Sequence, residues 1–159
     1  MRIHDIMSRP AVTCPMDAAL DAAARLMWEH DCGIVLVVAD DGRLAGVVTD
    51  RDICLAAYMH HKPLRLIPLA KAMVKPVITV GALDDVRSAE QLMRDNRLRR
   101  LPVIDDAGHP AGVISVEDLV QSAARGERTD IDHEFLATIA AVLAPRSKEA
   151  DVPHPLVHQ

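Results

Sequence analysis

The stretch Gly46-Val47-Val48-Thr49-Asp50-Arg51-Asp52 is answered 66 positions later by Gly112-Val113-Ile114-Ser115-Val116-Glu117-Asp118. Both read glycine, two apolar residues, a hydroxyl and a final aspartate. An apolar run leads into each, and helix-forming residues follow. A strand that turns through a hydroxyl residue into a helix start presents N–H groups and the positive end of a helix dipole, a natural place for a phosphorylated ligand. The same residues are also a plain capping pattern, which needs no ligand. The two readings are compatible, because a capped helix end still offers N–H groups to an anion.

Outward from this stretch, Ile34 to Val38 is a fully apolar strand, Asp40-Asp41-Gly42 a tight turn, and Leu44 to Val48 the next strand. Asp50 to about Tyr58 reads as the helix that follows. Upstream, a short β-prone run is fenced by Pro10 and Pro15, and Asp17 offers a helix cap. Ala18 to His30 then reads as a helix, with Ala19, Ala22, Ala23, Leu26 and Met27 on its buried face and Cys32-Gly33 as its break. After His60-His61-Lys62-Pro63 the pattern restarts. Met73 matches Met7, Pro76 matches Pro10, Thr79 matches Thr13, Val103 matches Val37 and Ala111 matches Ala45, always at an offset of 66. A constant offset over such a length is an internal duplication.

One strand-helix-strand-strand-helix unit of about 60 residues buries too little surface to be comfortable alone. Two copies are therefore expected to pack sheet to sheet about a pseudo-twofold axis, through the faces of Ile34–Val38 and Leu101–Ile104. The expected fold is α/β (α+β), with repeats at 3–60 and 71–125, a linker at 61–70, a C-terminal helix within 126–145 and a disordered tail at 146–159. The last helix is read over Asp130 to Leu143, with Ile131, Phe135, Ile139 and Val142 or Leu143 along one stripe.

Composition removes several function classes. Of 159 residues, half are apolar, but Trp28, Tyr58 and Phe135 are the only aromatics, too few for a base-stacking platform. A formal charge of −5 argues against a broad nucleic-acid surface. Cys14, Cys32 and Cys54 are odd in number and widely spaced, and are read as buried reduced thiols. No apolar run approaches the roughly 20 residues of a membrane span, and Asp5 interrupts any signal-peptide core. A soluble, cytoplasmic protein is expected. His60-His61 has no further ligand at metal spacing, and His154 and His158 fall in the tail, so no zinc site is expected. No nucleophilic triad or paired catalytic carboxylates arise, and the chain is not read as an enzyme.

With Asp5-Ile6-Met7, Ala72-Met73, Arg100-Leu101-Pro102-Val103-Ile104-Asp105 and both Gly-to-Asp motifs, the chain resembles a tandem pair of CBS (cystathionine-β-synthase-type) domains, the Bateman module. The layout is similar to stand-alone bacterial CBS-pair proteins, some linked to stress or hypoxic responses. The resemblance implies a regulatory module for adenosyl ligands: AMP, ADP or ATP, with S-adenosylmethionine or NAD(H) as further candidates. It implies phosphate contacts for Thr49 and Ser115, ribose contacts for Asp52 and Asp118, and adenine against strand residues such as Val48 and Ile114. Thr79, Arg99, Arg100 and Leu101 are expected to complete the Asp52 cleft, and Thr13, Gly33 and Ile34 the Asp118 cleft.

The clefts differ in charge. Arg51 stands in the first motif where the second has Glu117, and Arg99-Arg100 correspond to Gly33-Ile34. Guanidinium forks suit phosphate, so the Asp52 cleft is expected to take the nucleotide and the Asp118 cleft to be weaker. Arg94 and Arg97 are read as a solvated helix end. The family commonly dimerises through its helices, and a homodimer acting on an unidentified regulated protein is expected. The competing reading is a stress-related dimeric scaffold with vestigial clefts. A third, a metal- or DNA-binding regulator, has less behind it.

Overall fold

A computed structural model of the chain describes residues 1–127 and 131–145. The chain forms two compact units, each built on its own three-stranded sheet. The Thr49 unit comprises Ala11–Val77, with the three turn residues Gly108–Pro110 clustering beside it. The Ser115 unit comprises Met1–Pro10, Ile78–Ala107 and the chain from Ala111 through the last helix.

In the Thr49 unit, β1 (Thr13–Pro15) lies parallel to β2 (Ile34–Val38), and β2 antiparallel to β3 (Leu44–Thr49). A central strand meets neighbours on both edges and apolar side chains on both faces, which is why β2 reads as an unbroken Ile-Val-Leu-Val-Val run. Helices α1 (Leu20–Glu29) and α2 (Asp50–His60) complete the unit. Cys14, Leu20, Ala23, Val35, Val37, Val48, Ile53 and Ala56 form its core. The Ser115 unit repeats the plan with β4 (Val80–Gly81), β5 (Arg100–Ile104), β6 (Pro110–Ser115), α3 (Val86–Asn96) and α4 (Val116–Ala124), and adds α5 (His133–Leu143). Thr79, expected on the first strand of its repeat, directly precedes the short β4.

These units are not the two sequence repeats. Residues 1–10 belong with the second repeat's sheet, and the chain up to Val77 belongs with the first. The hydrogen bonds show the exchange to be reciprocal. Ile3 N–H donates to Asp84 O at 3.0 Å and Val86 N–H to Met1 O at 3.1 Å. At the same offset, Leu69 N–H donates to Ala18 O and Leu20 N–H to Ile67 O, both at 2.9 Å. The stretch expected to be a linker is therefore packed, with Ile67 and Leu69 fully buried.

That pairing also moves a helix start. Asp17 is a better cap than alanine by intrinsic preference, yet the N-cap of α1 is Ala19, with no side-chain cap. The bonds to residues 67 and 69 on either side hold Ala19 extended, so the helix begins at Leu20 rather than Ala18. The second repeat has Asp85 at the equivalent place, and its carboxylate accepts from Arg87 N–H at 3.0 Å. The expected break at Cys32-Gly33 is made one residue earlier, by Asp31 at φ 47°, and Arg97 repeats it at φ 51°.

The glycine that opens each motif has a packing reason. A Cβ on Gly46 would stand 2.9 Å from Met73 Sδ, and one on Gly112 would stand 2.7 Å from the Ser8 carbonyl oxygen. In each unit the lead-in segment of the other repeat crosses the motif strand here, paired as Val47 with Val74 and as Val113 with Ser8.

Helix α5 seats Phe135 and Val142 in the Ser115 core, with Ile139 packed against it. Ile131 and Leu143, expected on the same stripe, are exposed, and the helix begins at His133 with Asp132 as its cap. Asp130 and the tail 146–159 lie outside the described residues. Arg94 is not a solvated helix end: its guanidinium donates to Glu134 at 3.2 Å and to the buried Thr138 hydroxyl at 3.3 Å. Arg87 likewise reaches Asp132 at 2.8 Å. The cysteines are unpaired, but only Cys14 is buried; Cys32 is half-buried and Cys54 exposed on α2.

Candidate functional site

Both corners are built alike. At Thr49 and Ser115 the backbone is extended, φ −107° with ψ 165° and φ −124° with ψ 163°, before it turns into α2 and α4. Thr49 N–H and Oγ1–H donate to Asp52 Oδ2 at 2.8 and 2.7 Å, and Asp52 N–H donates back to Thr49 Oγ1 at 3.3 Å. Ser115 N–H donates to Asp118 Oδ2 at 2.8 Å, the Ser115 hydroxyl donates to the same oxygen, and Asp118 N–H returns a bond at 3.1 Å. Both motifs are complete capping boxes.

This has a chemical consequence. Each hydroxyl proton is directed at its own aspartate. A fully ionised phosphate offers only acceptors, so it must turn the hydroxyl away from the carboxylate or bind through other donors. A phosphate accepting from the Thr49 or Ser115 hydroxyl would therefore have to rearrange the cap. Asp52 is 4% exposed, whereas Asp118 is half-buried.

Within the Thr49 unit, Ile34 is the register partner of Thr49, and Asp50 N–H points to Gly33 O at 3.4 Å. Arg51 is exposed beside the cap, and its N–H is held by Asp50 Oδ1 at 2.7 Å. Val48 is fully buried beneath it, and Thr13 stands exposed on β1 at the sheet edge. Burial raises the neighbouring Cys14 thiol above its usual range, against the lowering influence of Arg25, which keeps it protonated and unreactive.

Within the Ser115 unit, Val116 N–H donates to Arg99 O at 2.9 Å. Arg100 Nη2 lies 3.8 Å from Glu117 Oε1, so the acid that replaces Arg51 holds a guanidinium beside its own corner. Ile114 and Leu101 are fully buried. The structure thus brings Gly33 and Ile34 to the Thr49 corner, and Arg99 and Arg100 to the Ser115 corner, of their own units. That Thr79 and Arg99–Leu101 serve the Thr49 corner, and Thr13, Gly33 and Ile34 the Ser115 corner, spans both units and stands as an expectation.

One residue at the site went unread in the sequence. Ser8 Oγ donates to Asp118 Oδ1 at 3.1 Å. The available signal was a mismatch in the repeat alignment, since Val74 occupies the position 66 residues on. Among the described residues, no three His, Cys, Asp or Glu side chains converge as a metal site, and no helix is long and apolar enough to cross a membrane.

A duplicated α/β chain with a capped strand-to-helix corner in each copy is a tandem-repeat module. Its family is the CBS domain: the family's sequence profile matches residues 3–58 and 69–125, and the chain belongs to that family as a tandem pair. The protein MK0525 of Methanopyrus kandleri is 31% identical over 120 residues, which are 75% of this chain and 61% of that protein. Two further relatives are matched over only 23% of their length. The CBS domain-containing protein YhcV of Bacillus subtilis is 28% identical over 137 residues, 83% of this chain and 96% of that protein. The solved CBS domain protein PAE2072 from Pyrobaculum aerophilum, complexed with AMP, aligns with TM-score 0.68 at 27% identity, over 88% of this chain and 98% of that one. The CBS domain pair of protein MJ0100, in complex with 5′-methylthioadenosine and S-adenosyl-L-methionine, aligns with TM-score 0.68 at 25% identity, over 76% of this chain and 98% of that one.

Proposed function

We propose that the chain is a cytoplasmic regulatory module that binds an adenosyl ligand of the AMP, ADP or ATP type at the Thr49–Asp52 corner and passes that state to another protein. It regulates rather than catalyses. The observation that carries this reading is the corner itself. A buried carboxylate, held in a fixed orientation by Thr49, sits at a helix N-terminus beside the exposed Arg51. Such a group suits a ribose diol, and the guanidinium suits the attached phosphate. The chain's family includes PAE2072, which is complexed with AMP. S-adenosylmethionine and NAD(H) carry the same adenosyl group and are the next candidates. At the Ser115–Asp118 corner, Glu117 faces Arg100 and offsets its charge, so this corner is the weaker site.

Calorimetry with AMP and ATP on the unchanged chain, Asp52→Ala and Asp118→Ala tests the assignment. Asp52→Ala is expected to lose at least about tenfold in affinity, roughly 1.4 kcal/mol, and Asp118→Ala much less. Equal losses overturn the asymmetry. A ligand at 100 times its dissociation constant raises stability by about 2.7 kcal/mol. No thermal shift with AMP, ADP, ATP, S-adenosylmethionine or NADH overturns the nucleotide reading altogether.

A second reading, an interaction protein, is favoured by one observation. Trp28 is 88% exposed on α1 and Tyr58 74% exposed on α2, and these two helices pack together. Large aromatics left in water on neighbouring helices are typical of a surface that another chain covers. The two readings combine if that chain is a second copy. Light scattering then gives a dimer mass, and Trp28→Ala shifts it toward the monomer.

A further inference from the structure

The backbone around each corner is the same in both units, down to one antiparallel bridge. Ser8 N–H donates to Val113 O at 2.9 Å and Val113 N–H to Ser8 O at 3.0 Å. At the other corner, Val74 N–H donates to Val47 O at 2.8 Å and Val47 N–H to Val74 O at 3.2 Å. Ser8 and Val74 are therefore equivalent in space as well as in sequence, and their side chains alone differ. The Ser8 hydroxyl reaches Asp118 Oδ1 at 3.1 Å, while Asp118 Oδ2 already accepts from the Ser115 backbone and hydroxyl. Both oxygens of Asp118 are thereby engaged by the protein. An isopropyl group at position 74 has no proton to give.

We infer that Ser8 is a specificity-determining residue for the Ser115–Asp118 corner: its hydroxyl occupies the carboxylate oxygen that a ligand's vicinal diol needs, and so disfavours ribosyl ligands there. A diol binds a carboxylate best through two parallel O–H donors, one to each oxygen, and Oδ2 is shared with the cap in either case. With Ser8 present, the second donor must either compete with an existing hydrogen bond to a charged acceptor, the stronger kind, or crowd beside it on the remaining lone pair of Oδ1. The inference rests on the nucleotide reading of the corners and adds a reason, independent of Glu117, for their inequality. Ser8 lies on the lead-in segment rather than in the Gly-to-Asp motif, so motif comparison alone passes over it.

The test uses the full chain carrying Asp52→Ala, which leaves Asp118 as the corner that binds. Into it go Ser8→Ala, Ser8→Val (the residue the other repeat already tolerates at this bridge) and Ser8→Thr. Adenosine and AMP affinities are measured by calorimetry, with a melting curve for each variant. Ser8→Ala and Ser8→Val are expected to bind adenosine about three- to tenfold more tightly, the equivalent of one net hydrogen bond. Ser8→Thr, which keeps the hydroxyl, is expected to match its parent. Unchanged or weaker binding in Ser8→Ala overturns the inference, because Ser8 would then be a bystander or a ligand contact. Carbodiimide labelling of carboxylates in the ligand-free chain, read by mass spectrometry, tests the same contact without nucleotide. Asp118 should label faster in Ser8→Ala, and equal labelling overturns the inference. If the unchanged chain binds no adenosyl ligand, the nucleotide reading fails, and the labelling result still decides whether Ser8 engages Asp118.

Discussion

The Thr49 unit and the Ser115 unit share a backbone and differ in what they hang on it. Their sheets have the same strand order, their corners the same reciprocal caps, and their lead-in bonds the same offset. Against that constant frame, Arg51 corresponds to Glu117, Ile34 to Arg100, and Val74 to Ser8. Position 28 carries an exposed tryptophan, whereas its counterpart Arg94 is tied to α5. Duplication preserved what hydrogen bonding and core packing require, because a change there costs the whole unit. Side chains that neither the caps nor the backbone ladder requires were free to diverge. Functional difference between the corners should therefore be sought among residues the capping box does not need.

The largest way to break this comparison is to loosen the helix that, among the described residues, only the Ser115 unit has. Phe135 is 5% exposed and anchors α5 in the Ser115 core. Phe135→Ala is expected to cost about 3 kcal/mol, by lost burial and the cavity left behind, read as a lower midpoint in urea. A loss under about 1 kcal/mol would mean that α5 is an ornament on the unit and not part of its core. A smaller effect sharpens the comparison of the two glycines. Gly112→Ala drives a methyl group against the backbone carbonyl of Ser8, whereas Gly46→Ala meets first the flexible thioether of Met73. Overpacking against backbone should cost about 2 kcal/mol, while Met73 can yield and keep the Gly46 change nearer about 1 kcal/mol. Thermal melts of the two variants in parallel decide it, and the reverse order would contradict the packing account.

Much of this fold could be read from the residues. The offset of 66 was visible, and β2, β3 and α2 fall within about two residues of their expected bounds. Periodicity works there because each segment's pattern is fixed by its own neighbours. It gave no means of seeing that Met7 packs on Gly112 while Met73 packs on Gly46. Both lead-ins carry the same methionine and proline at the same places, so those residues cannot say which copy each one joins. The same exchange overrode the capping preference of Asp17. Arg94 looked solvated because an arginine on a helix face is ordinarily so, and only the arrival of Glu134 and Thr138 gives it partners. At the site, the capping aspartates and their hydroxyls were legible because the spacing is local. Ser8 was not, since its contact spans 110 residues and no short-range pattern announces it.

The smallest expected effect follows from the helix caps and is again one-sided. Asp85 caps α3 and Asp132 caps α5, both in the Ser115 unit, whereas α1 has Ala19 as its N-cap and so no titratable cap. The Arg87 N–H holds the Asp85 carboxyl below the usual aspartate range, helped by the N-terminal amine nearby. The Phe135 N–H does the same for Asp132, followed by the Arg87 guanidinium. A carboxyl whose folded pKa is depressed contributes stability that is fully present above its unfolded value, about 3.9. That contribution disappears as pH falls through the lower folded value. Between pH 6 and pH 3 the first turns of α3 and α5 should therefore lose amide protection in hydrogen exchange, after correction for intrinsic rates, while the first turn of α1 changes little. Asp132→Ala should remove most of the acid response in α5 and leave that in α3. An equal loss of protection in α1 would show that acid acts on the whole molecule through net charge, and that the caps are not what sets the two units apart.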